Sequence, residues 1–254
     1  MDNYNQQEFT NYTVIDSHQT RAIGAISKKF MARVFTWMFV ALGVSTLFAV
    51  MFANNEQLLQ FLLTSTSRGF ALSGLGWVVM LAPIGFVLLM SLGFNRLSTP
   101  AMTALFLAYS AINGISFSFI LLTYTSASVI GCFASASAMF GIMAVMGYTT
   151  DKDLTNFGSI LMMGLVGMVI AMMVNWFMHS EALGYLISIV GVAVFTGLTA
   201  YDVQKLKRIG AGIEYKGVSP SETGKIALMG ALSLYLDFIN LFIMLLRLFG
   251  NRRD

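Results

Sequence analysis

Residues 231–250 read ALSLYLDFINLFIMLLRLFG. The run matches the roughly 20 apolar residues that carry a helix across a bilayer, yet it holds Asp237 near its middle and Arg247 near its end. An ionisable group at membrane depth is costly and faces a bundle interior or a water-filled path. A helix that keeps Asp237, Asn240 and Tyr235 among Leu, Ile, Phe and Met therefore reads as an inner helix, with other apolar segments around it.

The composition supplies those segments. Of 254 residues, 57% are hydrophobic and 11% charged, and the mean hydropathy is +0.74. Soluble domains carry about 25% charged residues, so the chain is a polytopic membrane protein. Its net charge of +3 does not point to nucleic acid, because the bases stand at segment ends, where membrane topology puts them. The single Cys132 lies in an apolar stretch and reads as a small packing residue. Residues 1–30 lack an apolar core and a small-residue cleavage site, and so read as a polar cytoplasmic tail, not a signal peptide.

Seven segments are long and apolar enough to span: 31–53, 70–95, 101–123, 127–149, 157–178, 182–206 and 226–249. Only the connections 54–69 and 207–225 are long. The expected fold is an all-α membrane protein, a seven-transmembrane helix bundle over residues 31–254 with the last helix central. Of the basic residues, eleven fall on the side of the N-terminus, Arg96, Lys152 and the group Lys205, Lys207, Arg208, Lys216 and Lys225. Four fall on the side of Arg68 and the C-terminal Arg247, Arg252 and Arg253. Lysine and arginine favour the cytoplasmic face, which places the N-terminus in the cytoplasm and the C-terminus outside.

Small residues recur at helix-packing spacing. The fourth segment contains GCFASASAMFG, which pairs Gly131 with Ser135 and Ser137 with Gly141; Gly164, Gly167, Gly191 and Gly197 follow in the next two. Such residues let backbones approach where lipid offers no hydrophobic drive. Pro83, inside the second segment, frees a carbonyl and kinks that helix.

Within the spans, away from their flanks, the acidic groups are Asp202, in GLTAYDVQKLK, and Asp237. Arg96, in GFNRLSTP, ends the second segment on the same side. At 1.5 Å per residue, segment midpoints set the aspartates about 10–12 Å apart in depth, so they meet only if the helices tilt or differ in length. Two carboxyl groups that meet share a proton and titrate as a unit, whereas an arginine favours the ionised form. Ionised carboxylates on a wet path also suit transient contact with a hard cation such as Ca²⁺. Against this stands a bland alternative, with Asp202 at the interface and Asp237 hydrogen-bonded to neighbours. Tyr201, Tyr235 and Asn240 are supporting polar groups. Asn113, Asn175 and Asn240 can bridge helices. His179, at a segment end, reads as interfacial.

No metal cluster, phosphate loop or Ser–His–Asp arrangement is present in the sequence, and no cofactor is expected. An intramembrane aspartyl protease needs Gly-x-Gly-Asp where this chain has Leu-Tyr-Leu-Asp, and a retinal protein needs a lysine deep in the last helix, where Lys225 stands only at its entrance. The chain does not read as an enzyme.

GLTAYDVQKLK (197–207), ALSLYLDFINLFIMLLRLFG (231–250), NGISFSFILLTYTSAS (113–128) and GYTTDKDLTNFGS (147–159) resemble the Bax inhibitor-1 family of seven-helix membrane proteins, in its bacterial branch. The resemblance covers about Met31 to the C-terminus. It implies a pH-sensitive Ca²⁺ leak channel in the plasma membrane, with Asp202 and Asp237 as the paired sensor and Arg96 as the alternating partner of Asp202. Some relatives carry an acidic residue inside the second helix, where this chain has the uncharged WVVMLAPIGFVLLM. The resemblance equally implies a competing reading, a non-conducting stress modulator that binds a membrane protease or another membrane protein; the polar N-terminal tail, outside the resemblance, is the sequence's cue for such a docking handle. Beyond the lipid bilayer, Ca²⁺ and protons are the partners of the first reading.

Overall fold

The computed structural model describes residues 17–66 and 69–253. The helices are α1 (Ser17–Ala53), α2 (Glu56–Leu62), α3 (Gly74–Leu92), α4 (Thr99–Thr123), α5 (Ser126–Thr149), α6 (Thr155–Met178), α7 (Glu181–Lys216) and α8 (Pro220–Phe249). All except α2 contain a stretch long and apolar enough to cross a membrane, as the seven segments led us to expect. Arg68 and residues 1–16 lie outside the described residues.

Local sequence sets the helix starts. Ser98, Thr125, Ser180 and Ser219 each accept a backbone N–H of the first turn with their side-chain oxygen, satisfying a donor that the helix itself cannot. Pro100 and Pro220 sit in the first turn of α4 and α8, where a missing N–H costs nothing.

Both long connections are structured. Residues 54–69 hold α2 and, from Leu63–Thr66 (β1), enter an antiparallel hairpin completed by Gly69–Leu72 (β2), so α3 starts at Gly74 and not at residue 70. In the 207–225 region α7 continues to Lys216 and α8 begins at Pro220, leaving three connecting residues. The lysines and arginines end the apolar stretch without ending the helix, because hydropathy marks where lipid stops and not where backbone hydrogen bonding stops. Gly217 stops α7 in a left-handed conformation, φ 60°, which glycine adopts without strain.

That short turn fixes the register of the α7–α8 pair. Leu206 packs on Gly230, Asp202 meets Ser233, and Gly191 receives Met244. α8 is the central helix: 67% of its apolar span is buried, against 11–44% for the others. α1, α4, α5 and α7 pack directly on it, whereas α3 packs on α4 and α6 on α7, outside that inner ring. The sequence expectation of six surrounding helices thus resolves into four inner and two outer.

The close approaches use other glycines than the small-residue spacing suggested. Gly147 of α5 abuts the Ala200 carbonyl of α7, and Gly158 of α6 lies under the Tyr201 ring. Gly191 and Gly197 do sit at contacts, but Gly131, Gly141 and Gly167 face open space. The buried stripe of α5 runs through Cys132, Ala136, Phe140, Ala144 and Gly147. Ser135 and Ser137, on the exposed side, return their hydroxyls to carbonyls four residues back. The carbonyl freed by Pro83 is Val79 O, and Ser116 of α4 donates to it at 3.2 Å.

Candidate functional site: the aspartate pair of the central helix

The register brings Asp202 and Asp237 into neighbouring turns of the α7–α8 pair. The expected offset in depth shrinks to about 6 Å, one helical turn, because α7 and α8 both run on past the apolar stretches and a tight turn sets their levels. Ser233, one turn before Asp237 on α8, donates its hydroxyl to Asp202 Oδ2. Asp237 is 6% exposed, and among the described residues its Oδ2 has no hydrogen-bond partner. Asp202 is half-buried. A buried carboxyl oxygen without a donor is rare and points to function, ordered water or an ion.

Asp202 stands level with the end of the bundle. Two residues on, buried Gln204 donates from Nε2 to Lys152 O at 2.7 Å and accepts the Leu154 N–H at Oε1 at 2.9 Å, both in the α5–α6 connection. Lys207 donates to Tyr148 O at 2.8 Å, at the C-terminal end of α5, where a cation complements the helix dipole. Arg208 pairs with Asp153 at 2.6 Å. The Thr155 hydroxyl, that arginine and the Thr155 N–H hold the Asp153 carboxyl well below the usual carboxylate range. The pair therefore bridges a polar rim and a dry core.

Arg96 lies in the turn between α3 and α4 with its side chain exposed. Among the described residues it has no ion-pair partner. Its turn is held by Lys225 of α8, whose ammonium donates to Phe94 O at 3.1 Å and Leu97 O at 3.3 Å. Lys225 and Ser233 are eight residues apart, about 12 Å along the helix, so Arg96 stands nearer the turn than Asp202 does.

The supporting residues divide. Tyr235 is fully buried and joins the Ser45 hydroxyl at 2.8 Å; Ser45 in turn donates to Ser110 O at 2.7 Å, so the tyrosine is the donor to Ser45. This chain ties α8 to α1 and α4. Tyr201 packs over Gly158, with Lys205 Nζ 5.9 Å from its ring centroid. Asn240 is half-buried, one turn beyond Asp237. The asparagines do not bridge helices as expected. Asn113 donates to Tyr109 O of its own helix, and Asn175 accepts the Ser180 N–H of the adjoining turn. Each is thereby absorbed by nearby backbone. His179 caps α6 in a left-handed conformation and is exposed.

Ser233 and Gln204 escaped the sequence reading. Ser233 was detectable as the residue four before Asp237, whereas Ser45 and Ser110 had no local signal. Among the described residues, no group of three His, Cys, Asp or Glu stands together to hold a metal ion, so the two aspartates offer a cation a contact and not a cage.

The family model described as Inhibitor of apoptosis-promoting Bax1 matches residues 27–254, the whole bundle. The chain belongs to the Bax inhibitor-1 family. Its relatives include the inner membrane protein YbhL of Escherichia coli, 43% identical over 224 residues, which cover 88% of this chain and 92% of YbhL. A Borreliella burgdorferi protein is 40% identical over 95% of this chain and 100% of its own. RP147 of Rickettsia prowazekii is 37% identical over 89% and 91%. The family match covers both aspartates, Ser233 and Arg96.

Proposed function

We propose that this protein is a pH-sensitive cation leak channel of the bacterial inner membrane, with Ca²⁺ as the permeant ion and the Asp202–Asp237 pair as its gate. The observation that carries the reading is the placing of two aspartates in neighbouring turns of α7 and α8, bridged by Ser233, one of them with a buried oxygen lacking a partner among the described residues. The name of the relative YbhL supports the inner membrane, and the basic-residue bias puts the N-terminus in the cytoplasm.

In this reading the two carboxyl groups, when they close on each other, share one proton. Held by the proton, Asp202 and Asp237 link α7 to α8, with Ser233 steadying Asp202. Without it the carboxylates repel, the helices part, and Asp202 is free to take Arg96 as its partner after the α3–α4 turn moves. The exposed carboxylate oxygens then offer a passing Ca²⁺ hard ligands of the kind it prefers. No covalent step and no cofactor enters, and the protein is not an enzyme in this reading.

The test is Ca²⁺ flux into proteoliposomes across an assay window of about pH 5 to 8. Wild type is compared with Asp202→Asn, Asp237→Asn and Arg96→Ala. Flux whose pH profile shifts in the aspartate variants supports the gate. Folded protein with no flux above empty liposomes sinks it and leaves the non-conducting partner of a membrane protease as the reading to pursue.

A further inference from the structure

A cleft of about 1150 Å³ opens at the end of the bundle opposite the aspartate pair, where α8 ends and α7 begins. Its back is α8, and its sides are α3 with α4 and the α6–α7 junction. α3 packs on α4 and α6 packs on α7, and among the described residues no substantial packing joins the two pairs, which leaves a gap between them.

The cleft is graded in polarity. Its interior is walled by apolar groups such as Pro83, Phe117 and Ile243. Two serine hydroxyls there donate to backbone: Ser116 to Val79 O and Ile112 O, and Ser188 to Gly184 O. The charges gather at the mouth, where Arg247 and Arg252 face Glu181 and His179. Both arginines are exposed, and among the described residues neither is ion-paired. Arg247 is in the last turn of α8 and Glu181 in the first turn of α7, which is headgroup depth.

We propose that this cleft is a binding site for an anionic phospholipid, with its phosphate on Arg247 and Arg252 and an acyl chain against the Pro83 segment. Water alone would leave the apolar walls at Pro83, Phe117 and Ile243 facing solvent. A detached anion would leave the apolar walls uncovered. An amphipathic molecule answers both ends, because guanidinium groups bind phosphate oxygens in a bidentate fork and basic pockets between membrane helices accept lipid headgroups. The site is separate from the aspartate pair and does not depend on conduction.

The test is native mass spectrometry of the full chain released from nanodiscs of equal parts phosphatidylglycerol and phosphatidylethanolamine. Wild type should retain phosphatidylglycerol in preference, and the double variant Arg247→Gln/Arg252→Gln should retain both lipids equally. Gly184→Leu, whose added Cβ meets only ordinary contact at 3.4 Å, should project into the cleft and reduce retention of both while the thermal midpoint holds. Equal retention of the two lipids by wild type, or an unchanged preference in the arginine variant, overturns the proposal. So does stabilisation by inorganic phosphate in detergent that matches stabilisation by phosphatidylglycerol, which would mark a site for a small anion.

Discussion

The Tyr235 hydroxyl of the central helix donates to Ser45 of α1 at 2.8 Å, and Ser45 passes its own hydrogen to the Ser110 carbonyl of α4 at 2.7 Å. The two substitutions that break this chain are unequal. Tyr235→Phe removes one hydrogen bond and leaves Ser45 still donating, a loss of about 0.5–1.5 kcal/mol. Ser45→Ala strands a buried tyrosine hydroxyl and should cost more, about 1–3 kcal/mol. Denaturation in mixed micelles should rank the variants in that order; equal losses would show that the tyrosine finds another acceptor.

Glycines in α5 should respond with opposite sign. A Cβ on Gly147 meets the backbone of Ala200, including its Cα at 2.8 Å, whereas Gly141 faces open space. Gly147→Ala should lower the thermal midpoint by forcing α5 from α7. Gly141→Ala should leave it level or raise it, since alanine is favoured over glycine in a helix by up to about 1 kcal/mol.

Gln204 holds the α5–α6 connection through Lys152 O and the Leu154 N–H. Gln204→Leu leaves both without their partner at a cost of about 1–3 kcal/mol. Limited proteolysis should then cut within residues 150–154, and Gln204→Glu should restore only the bond from Leu154.

Asp153 gives a pH dependence whose sign follows from its lowered value. Its contacts with Thr155 and Arg208 stabilise the fold above the unfolded carboxyl value of about 3.9 and lose that effect as pH falls toward the lower folded value. The difference in thermal midpoint between wild type and Asp153→Asn should therefore be largest near neutrality and shrink below about pH 4. The group is exposed, so the difference should be small and should fall with added salt.

The sequence alone determined the membrane class, the seven spans, the inner position of the last helix and the identity of the two aspartates. These follow from hydropathy and from the cost of charge in lipid, both properties of local composition. Only the tertiary structure decided that Asp202 and Asp237 stand within one helical turn of each other, because that depends on helices continuing beyond the apolar stretch to a three-residue turn. Likewise, the spacing of small residues in α5 marked a face without saying which way it points. Gly131 and Gly141 turn outward while Gly147 meets Ala200, since in lipid both faces of a helix are apolar and only its neighbours distinguish them.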